Sequence, residues 1–421
     1  MTTITLSKGG KKVFYNICAV LILYLTVISS FTLLANGGDS SPVSDNFRAA
    51  YRYLGNSASD HERNGWFHEL QGIANSKTHW YFSGNEKPVV FRAPYTHPDH
   101  SQNLDKKFVI GSTWRPMAPL FGKKCTHLGD LDVHYWRNKQ YIIVGLDDDN
   151  IGKKGFIIFL RGRDMSFAGY LDIRDYQKGV PWVAAHGPYV YSSKGGKNVK
   201  KIHRYKIDWK SIPARGGREV KLDKNNPHNT YPVTGINYSK FQDNMLHHVQ
   251  GGDFSTDGKL FFAAVGYCAR QGKRLKWKCS LRAIIVLRVT DSKWPVIRIS
   301  SQGERPFRFQ SEGFDQEPQG ISYYDINDSG SPHSGELHAI NLNNDNKYDK
   351  DNVWIKHYTS IIEIESGDSI EEALGKAWDG SILALEKGNY SENLKIKSRV
   401  NGSRRNIKLV SAGGVVRIKS H

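Results

Sequence analysis

The stretch that most constrains the chain runs from His248 to Gly266, HVQGGDFSTDGKLFFAAVG. A polar entry leads into a glycine pair that tolerates a bend. Asp257-Gly258 supplies a tight turn, and Leu260 to Val265 is a run of apolar strand formers. Weaker relatives of the unit open at His127-Leu128-Gly129-Asp130-Leu131-Asp132-Val133, near Val180 to His186, and at Gln316 to Asp325. A recurring strand–turn–strand unit commits the chain to a β architecture built by repetition.

Between these openings lie short apolar runs separated by turn residues. Tyr141 to Leu146, Gly155 to Leu160, Phe167 to Leu171, Ala283 to Val289 and Val353 to Tyr358 read as successive antiparallel strands. The openings recur at roughly 50 to 70 residues, a spacing that fits blades of four short strands with variable outer loops. The segment before residue 108 supplies a further blade. The fold class is therefore all-β, a five- or six-bladed β-propeller with a small, truncated β-helix-like C-terminal segment. A β-sandwich or a distorted all-β domain is the alternative. In this reading residues 1–35 are a signal peptide or membrane anchor, 36–75 a linker and irregular lead-in, 76–360 the propeller-like domain and 361–421 the tail.

The compartment is read from the first residues. Lys8, Lys11 and Lys12 precede Val13 to Ala35, which is apolar apart from Asn16 and a few hydroxyl side chains. Such a run is long enough to cross a membrane as a helix, and positive residues before it leave the bulk of the chain outside. The protein is thus expected to be secreted, or anchored with its bulk on the extracytoplasmic side. Export permits disulfides, and Cys268 and Cys279 enclose a short basic loop that a bridge would close as a hairpin. Cys125 is left over in that scheme, and no paired CxxC spacing points to zinc.

The chain carries a formal charge of +18 across 421 residues. A positive surface attracts anionic partners, and a glycan or another anionic cell-surface component is expected. Nucleic acid is not, since zinc-finger, helix-turn-helix and basic-zipper patterns are absent. There is also no GxSxG elbow, P-loop or HExxH motif.

The chemistry is sought where polar side chains begin the inner strands of successive blades, because these can converge on a central channel. His127, Asp130, His248 and Glu317 are the candidate catalytic residues. An imidazole and a carboxylate in proximity share a proton or hold an ordered water. His186, Gln250, Gln319 and Trp182 are the candidate ligand-binding residues. The simplest account of such residues is that they hydrogen-bond one another and water. No cofactor is expected. Calcium is a candidate at Asp325-Ile326-Asn327-Asp328-Ser329-Gly330 or Asn343 to Asp349, where oxygen ligands cluster in turns. Neither stretch is a full calcium loop, and surface Asx turns explain both more simply.

The tail, with a helix over Ser369 to Ala377, Asp379-Gly380-Ser381-Ile382-Leu383, Gly388-Asn389-Tyr390 and Leu394-Lys395-Ile396, resembles the N-terminal cap of right-handed parallel β-helix proteins of the pectate-lyase-like kind. That resemblance covers about 55 residues and implies a carbohydrate-associated ancestry without an activity. The central region resembles exported β-propellers in a general way. In those, positions matching His127, Asp130, His186, His248, Gln250, Glu317 and Gln319 line the channel. The expected function is an exported protein that recognises a carbohydrate or other anionic surface component. The alternatives are an exported polysaccharide- or phosphoester-cleaving enzyme and a membrane-tethered structural or assembly protein.

Overall fold

Sheet order follows sequence order. The computed structural model describes residues 46–56, 70–84, 89–94, 106–109, 127–147, 155–196, 198–235, 246, 248–266, 268–271, 276–279, 282–301, 316–324, 337–343, 352–376, 382–391, 408–411 and 416–419. The chain divides into a larger unit, Ala49–Tyr358, and a smaller one made of Met1–Arg48 and Thr359–His421.

The larger unit is predominantly β and propeller-like. Its first sheet is an antiparallel meander of Leu70–Asn75, His79–Gly84, Val89–Pro94 and Lys106–Val109. The second runs through His127–Trp136, Lys139–Asp147, Gly155–Arg161 and Phe167–Asp172. The third contains Ala184–His186, Tyr189–Ser192, Lys201–Lys206 and His228–Thr234. The fourth contains Val249–Phe254, Leu260–Val265, Ala283–Arg288 and Trp294–Ser301. Parallel pairing of Val233 with Trp294 and of Thr234 with Pro295 joins the third and fourth sheets into one of eight strands. The fifth contains Gln316–Tyr323, Leu337–Asn343 and Asn352–Ile364, and Asn46–Asn56 pairs with the last of these. The first strands of the five sheets touch one another in cyclic order.

Side-chain parity explains why the strands read as continuous apolar runs rather than alternating ones. Ile142, Val144 and Leu146 point into a core shared with Ala74, Tyr81 and Val90 of the first sheet. Their neighbours Tyr141 and Ile143 point the other way, into a core shared with Val190 and Tyr205 of the third. Both faces of the second sheet are covered, so both parities must be apolar. Phe261, Ala263 and Ile285 of the fourth sheet pack on Tyr191 and Ile202 of the third. Trp80 and Phe82 of the first pack with Ile340 and Ile355 of the fifth, and Phe262 of the fourth stacks on Tyr323 of the fifth at 5.3 Å.

The turn read at Asp257-Gly258 is present. Gly258 has φ +70, the Gly258 N–H donates to Ser255 O at 2.8 Å, and Asp257 Oδ1 accepts from Ser255 Oγ at 2.7 Å and from the Lys259 N–H at 3.1 Å. The carboxylate thus satisfies the donors that the reversal exposes.

In the smaller unit, residues 361–364 pair in parallel with Ile382–Leu385, which pair in parallel with Lys408–Ser411. Gly388–Ser391 pair in parallel with Val416–Lys419. The helix Ile370–Lys376 is capped by Ser369, whose Oγ accepts from the Glu372 N–H at 3.1 Å. Ile370 and Leu374 pack on Ile364, Leu383, Leu385 and Tyr390.

Two expectations are corrected. No helix among the described residues is long and apolar enough to cross a membrane. Ile370–Lys376 has seven residues, where a crossing takes about 20; the apolar run at 13–35 lies outside the described residues. No disulfide is found among the described residues. The ladder places Cys268 opposite Cys279, but cross-strand opposition alone does not meet the narrow Cβ separation and dihedral that a bridge requires.

Candidate functional site

Four of the five inner strands carry a β-bulge at a glycine. The register slips between Leu70 and Gly72, Leu128 and Leu131, Val249 and Gly251, and Pro318 and Ile321. A bulge bends its strand and frees backbone groups from the ladder. Here the freed N–H groups converge on one side chain, Asp130, which is fully buried. Asp130 Oδ1 accepts from the N–H of Ile73 at 3.0 Å and of Leu131 at 2.9 Å. Oδ2 accepts from Gly252 at 3.2 Å and Ile321 at 3.1 Å. One carboxylate on the second sheet therefore ties down the first, fourth and fifth. The neighbouring glycines are required by space. A Cβ at Gly72, Gly251 or Gly320 would lie 2.7, 2.6 or 2.7 Å from an Asp130 carboxylate oxygen. Burial pushes the Asp130 carboxyl well above the usual range, and the four N–H groups pull it back.

Two further aspartates repeat the device with fewer partners. Asp132 accepts from its neighbour Val133 and, on the third sheet, from the Ala185 N–H at 2.6 Å. Asp253 accepts from Phe254 at 2.7 Å and, on the fifth sheet, from the Tyr323 N–H at 2.6 Å. Burial raises the Asp132 carboxyl to about 6. Asp253 is raised well above its ordinary value by burial and then by the charge of Asp132. Neither aspartate was singled out from the sequence, although the recurrence of Gly-Asp at Gly129-Asp130 and Gly252-Asp253 marks Asp253; Asp132 follows Leu131 and carries no such mark.

The starts of the inner strands form the polar mouth of this ring. Gln250 Nε2 donates to Glu317 Oε1 at 2.9 Å, linking the fourth and fifth sheets. Glu317 and Gln319 are buried, and Gln250 is half-buried. Among the described residues, Gln319 Oε1 has no hydrogen-bond partner, nor has either polar atom of the fully buried Asn341. Asn341 stands opposite Pro318 in the ladder, beside that glutamine. His127 is exposed at the first position of its strand. His248 is half-buried with φ +48; its N–H donates to Gly196 O and its carbonyl accepts from the Gly266 N–H.

Of the eight residues expected at the site, Gln250 and Glu317 are joined by a hydrogen bond, and Asp130 bonds the backbone at Gly252 and Ile321, two residues beyond Gln250 and Gln319. Trp182 is placed elsewhere: it is fully buried, 5.1 Å from the Phe261 ring, with Nε1 donating to Ser193 Oγ at 2.8 Å. His186 is the last residue of its strand, 5.4 Å from Phe254, and burial lowers its pKa while Asp257 opposes the shift. His134, also passed over in the sequence, lies 4.7 Å from Trp209 and is lowered to about 4 by burial and by His186.

The calcium expectation is corrected. No group of three or more His, Cys, Asp or Glu among the described residues is placed to hold a metal ion. The converging carboxylates turn their oxygens toward backbone N–H groups instead. Residues 325–330 and 344–349 lie outside the described residues.

The raised Asp132 pKa predicts a pH dependence. The folded state holds a proton that the unfolded state releases near its ordinary 3.8. Stability should therefore fall as pH rises from about 4 to about 6, by up to about 3 kcal/mol. Urea denaturation across that window measures it. Asp132→Asn should flatten the fall while losing one backbone hydrogen bond. An equal slope in the variant would remove Asp132 as its source.

The ring of sheets and its buried carboxylates define a propeller-like, mostly-β protein. No protein-family model and no curated protein matches the sequence. Among solved structures, the native arabinanase Arb43A of Bacillus subtilis is similar over 73% of this chain and 97% of its own, at 10% identity and a TM-score of 0.41. A GH43 endo-arabinanase from Bacillus licheniformis is similar over 70% of this chain and 94% of its own, at 11% identity and a TM-score of 0.40. The glutaminyl cyclase of Myxococcus xanthus is similar over 76% of this chain and 100% of its own, at 10% identity and a TM-score of 0.36.

Proposed function

We propose that this chain is an exported five-bladed propeller that cleaves glycosidic linkages of a carbohydrate at the mouth of its ring. The carrying observation is the buried polar group formed by Glu317, Gln250 and Gln319. Glu317 is held by a neutral amide, and the side-chain carbonyl of Gln319, two residues along the same strand, is buried without a hydrogen-bond partner among the described residues. Buried polar atoms call for partners, and sugar hydroxyls, which both donate and accept, suit amides and carboxylates. Glycoside cleavage needs a carboxyl that delivers a proton and a second carboxylate. Asp253, on the strand of Gln250 and with a raised affinity for a proton, takes the first role in this reading. Glu317, held by the Gln250 amide, takes the second. His127 and His248 flank the mouth.

The test is reducing-end release from a panel of neutral and acidic polysaccharides. Glu317→Gln should lower kcat by about 100-fold or more while leaving KM within a few-fold. Absence of turnover by the wild-type chain on every substrate would sink the enzymatic reading. A second reading, carbohydrate recognition without turnover, is favoured by Asp130. Its two oxygens accept four backbone N–H groups, so the carboxyl is committed to holding the sheets together rather than to a substrate. Calorimetric binding in the absence of release would support that second reading.

A further inference from the structure

A second surface, away from the ring mouth, is marked by charge. Residues 194–224 contain eleven Lys and Arg against three Asp and Glu, a net +8 out of the chain's +18. Lys197 lies outside the described residues. Arg204 is stacked between Tyr189 at 4.3 Å and Tyr231 at 5.1 Å, and Lys206 pairs with Asp223 at 3.4 Å. The other eight are Lys194, Lys200, Lys201, Lys210, Arg215, Arg218, Lys221 and Lys224. All eight are exposed and none is in an ion pair among the described residues.

The fold gathers these cations. After Lys206 the chain leaves the third sheet as a strap and returns at His228. The two limbs of the strap are sewn together: Asp208 N–H donates to Lys221 O, Asp223 N–H to Lys206 O, and Lys221 N–H to Ser211 Oγ. Its tip lies along the second sheet, where Arg218 and Glu219 pair in parallel with Gly169 and Tyr170. Arg161 pins it there by donating to the carbonyls of Pro213 and Gly216. Arg215, Arg218, Lys210, Lys221 and Lys224 are thus held on one ordered strap. Lys201 begins the adjoining strand, about 17 Å from its far end. Between them lie His203 and His228, 3.0 Å apart, with the exposed ring of Tyr176 at 4.5 Å from His228.

Like charges held together without counter-ions destabilise a free surface and favour a polyanion that neutralises them. We propose that this strap and the adjoining strand bind an acidic polysaccharide along their length. Tyr176, an exposed aromatic beside His228, suits a sugar ring, whereas a run of stacked bases takes a series of platforms. A membrane surface is disfavoured because no large apolar side chain is exposed within residues 194–224. The proposal is independent of the catalytic reading of the ring mouth.

The test compares two variants of equal charge. One carries Lys210→Gln, Arg215→Gln, Arg218→Gln, Lys221→Gln and Lys224→Gln. The other carries Lys77→Gln, Lys139→Gln, Arg163→Gln, Lys293→Gln and Lys387→Gln, all exposed and dispersed. Binding to polygalacturonate and to a neutral galactan is measured by calorimetry at about 50 and about 200 mM salt. The strap variant should lose affinity for polygalacturonate by about tenfold and show a shallower salt dependence, while the dispersed variant binds as wild type. Equal losses in both variants would show that net charge alone is responsible, and would overturn the proposal. So would unchanged binding by the strap variant, equal binding of the galactan, or tighter binding of a single-stranded oligonucleotide. Glu317→Gln should leave this binding unchanged, so failure here and failure at the ring mouth are read separately.

Discussion

Asp130→Ala is expected to destabilise the larger unit by about 4 kcal/mol, a large fraction of the roughly 5–15 kcal/mol available to a folded domain. Truncation leaves three N–H groups on three different sheets, those of Ile73, Gly252 and Ile321, facing a void. Each costs about 1–3 kcal/mol when buried without an acceptor; release from holding a desolvated charge offsets part of the sum. Asp130→Asn keeps one acceptor oxygen and should cost about half as much. Asp132→Ala and Asp253→Ala each orphan a single N–H on a neighbouring sheet, so each should fall well below Asp130→Ala. Equilibrium urea denaturation ranks the four variants. Formate should raise the Tm of Asp130→Ala and not of the wild type, because a small anion fits the vacated N–H groups. An Asp130→Ala variant within about 1 kcal/mol of wild type would mean that these N–H groups find other acceptors and that the ring is not pinned at this residue.

The same residue shows what the sequence can and cannot disclose. Asp130 is recognisable as a polar side chain at the start of an inner strand. Its role as an acceptor is not, because its partners Ile73, Gly252 and Ile321 lie 57, 122 and 191 residues away. Strands buried on both faces were legible: the runs Tyr141 to Leu146 and Gly155 to Leu160 are continuous in apolar character because neighbouring sheets cover both sides. The strand Leu70–Asn75 was not, since Gln71 and Gly72 interrupt its apolar pattern at the bulge that aims Ile73 at Asp130. Pairing of Asn46–Asn56 with a strand some three hundred residues later leaves no local mark at all. The shape of the strap depends on Arg161, whose reach to Pro213 and Gly216 no short-range pattern encodes.

Gly320→Ala is expected to be nearly as damaging as loss of the carboxylate. A Cβ there would lie 2.6 Å from Gly72 Cα, 2.7 Å from Asp130 Oδ1 and 2.7 Å from Ile73 N. Two of the three are backbone atoms of the first sheet, so no rotamer change makes room. The fifth sheet must move away from the first, at a cost of about 3 kcal/mol for the overpacking, and the Asp130 hydrogen bonds to Ile73 and Ile321 lengthen with it. Because both substitutions act on one set of contacts, their effects should not add. In an Asp130→Ala background, Gly320→Ala should cost at least about 1 kcal/mol less than alone. Denaturation of the two single variants and the double variant measures this coupling, and additivity would separate the glycine from the carboxylate. Gly320 also follows Gln319 directly, so the displaced strand carries Gln319 and Glu317 out of the ring mouth. The folded fraction of Gly320→Ala should therefore lose carbohydrate binding or turnover at the mouth. It should retain polyanion binding at the strap, which hangs from the second and third sheets. Loss of both together would mean that the ring and the strap do not function independently.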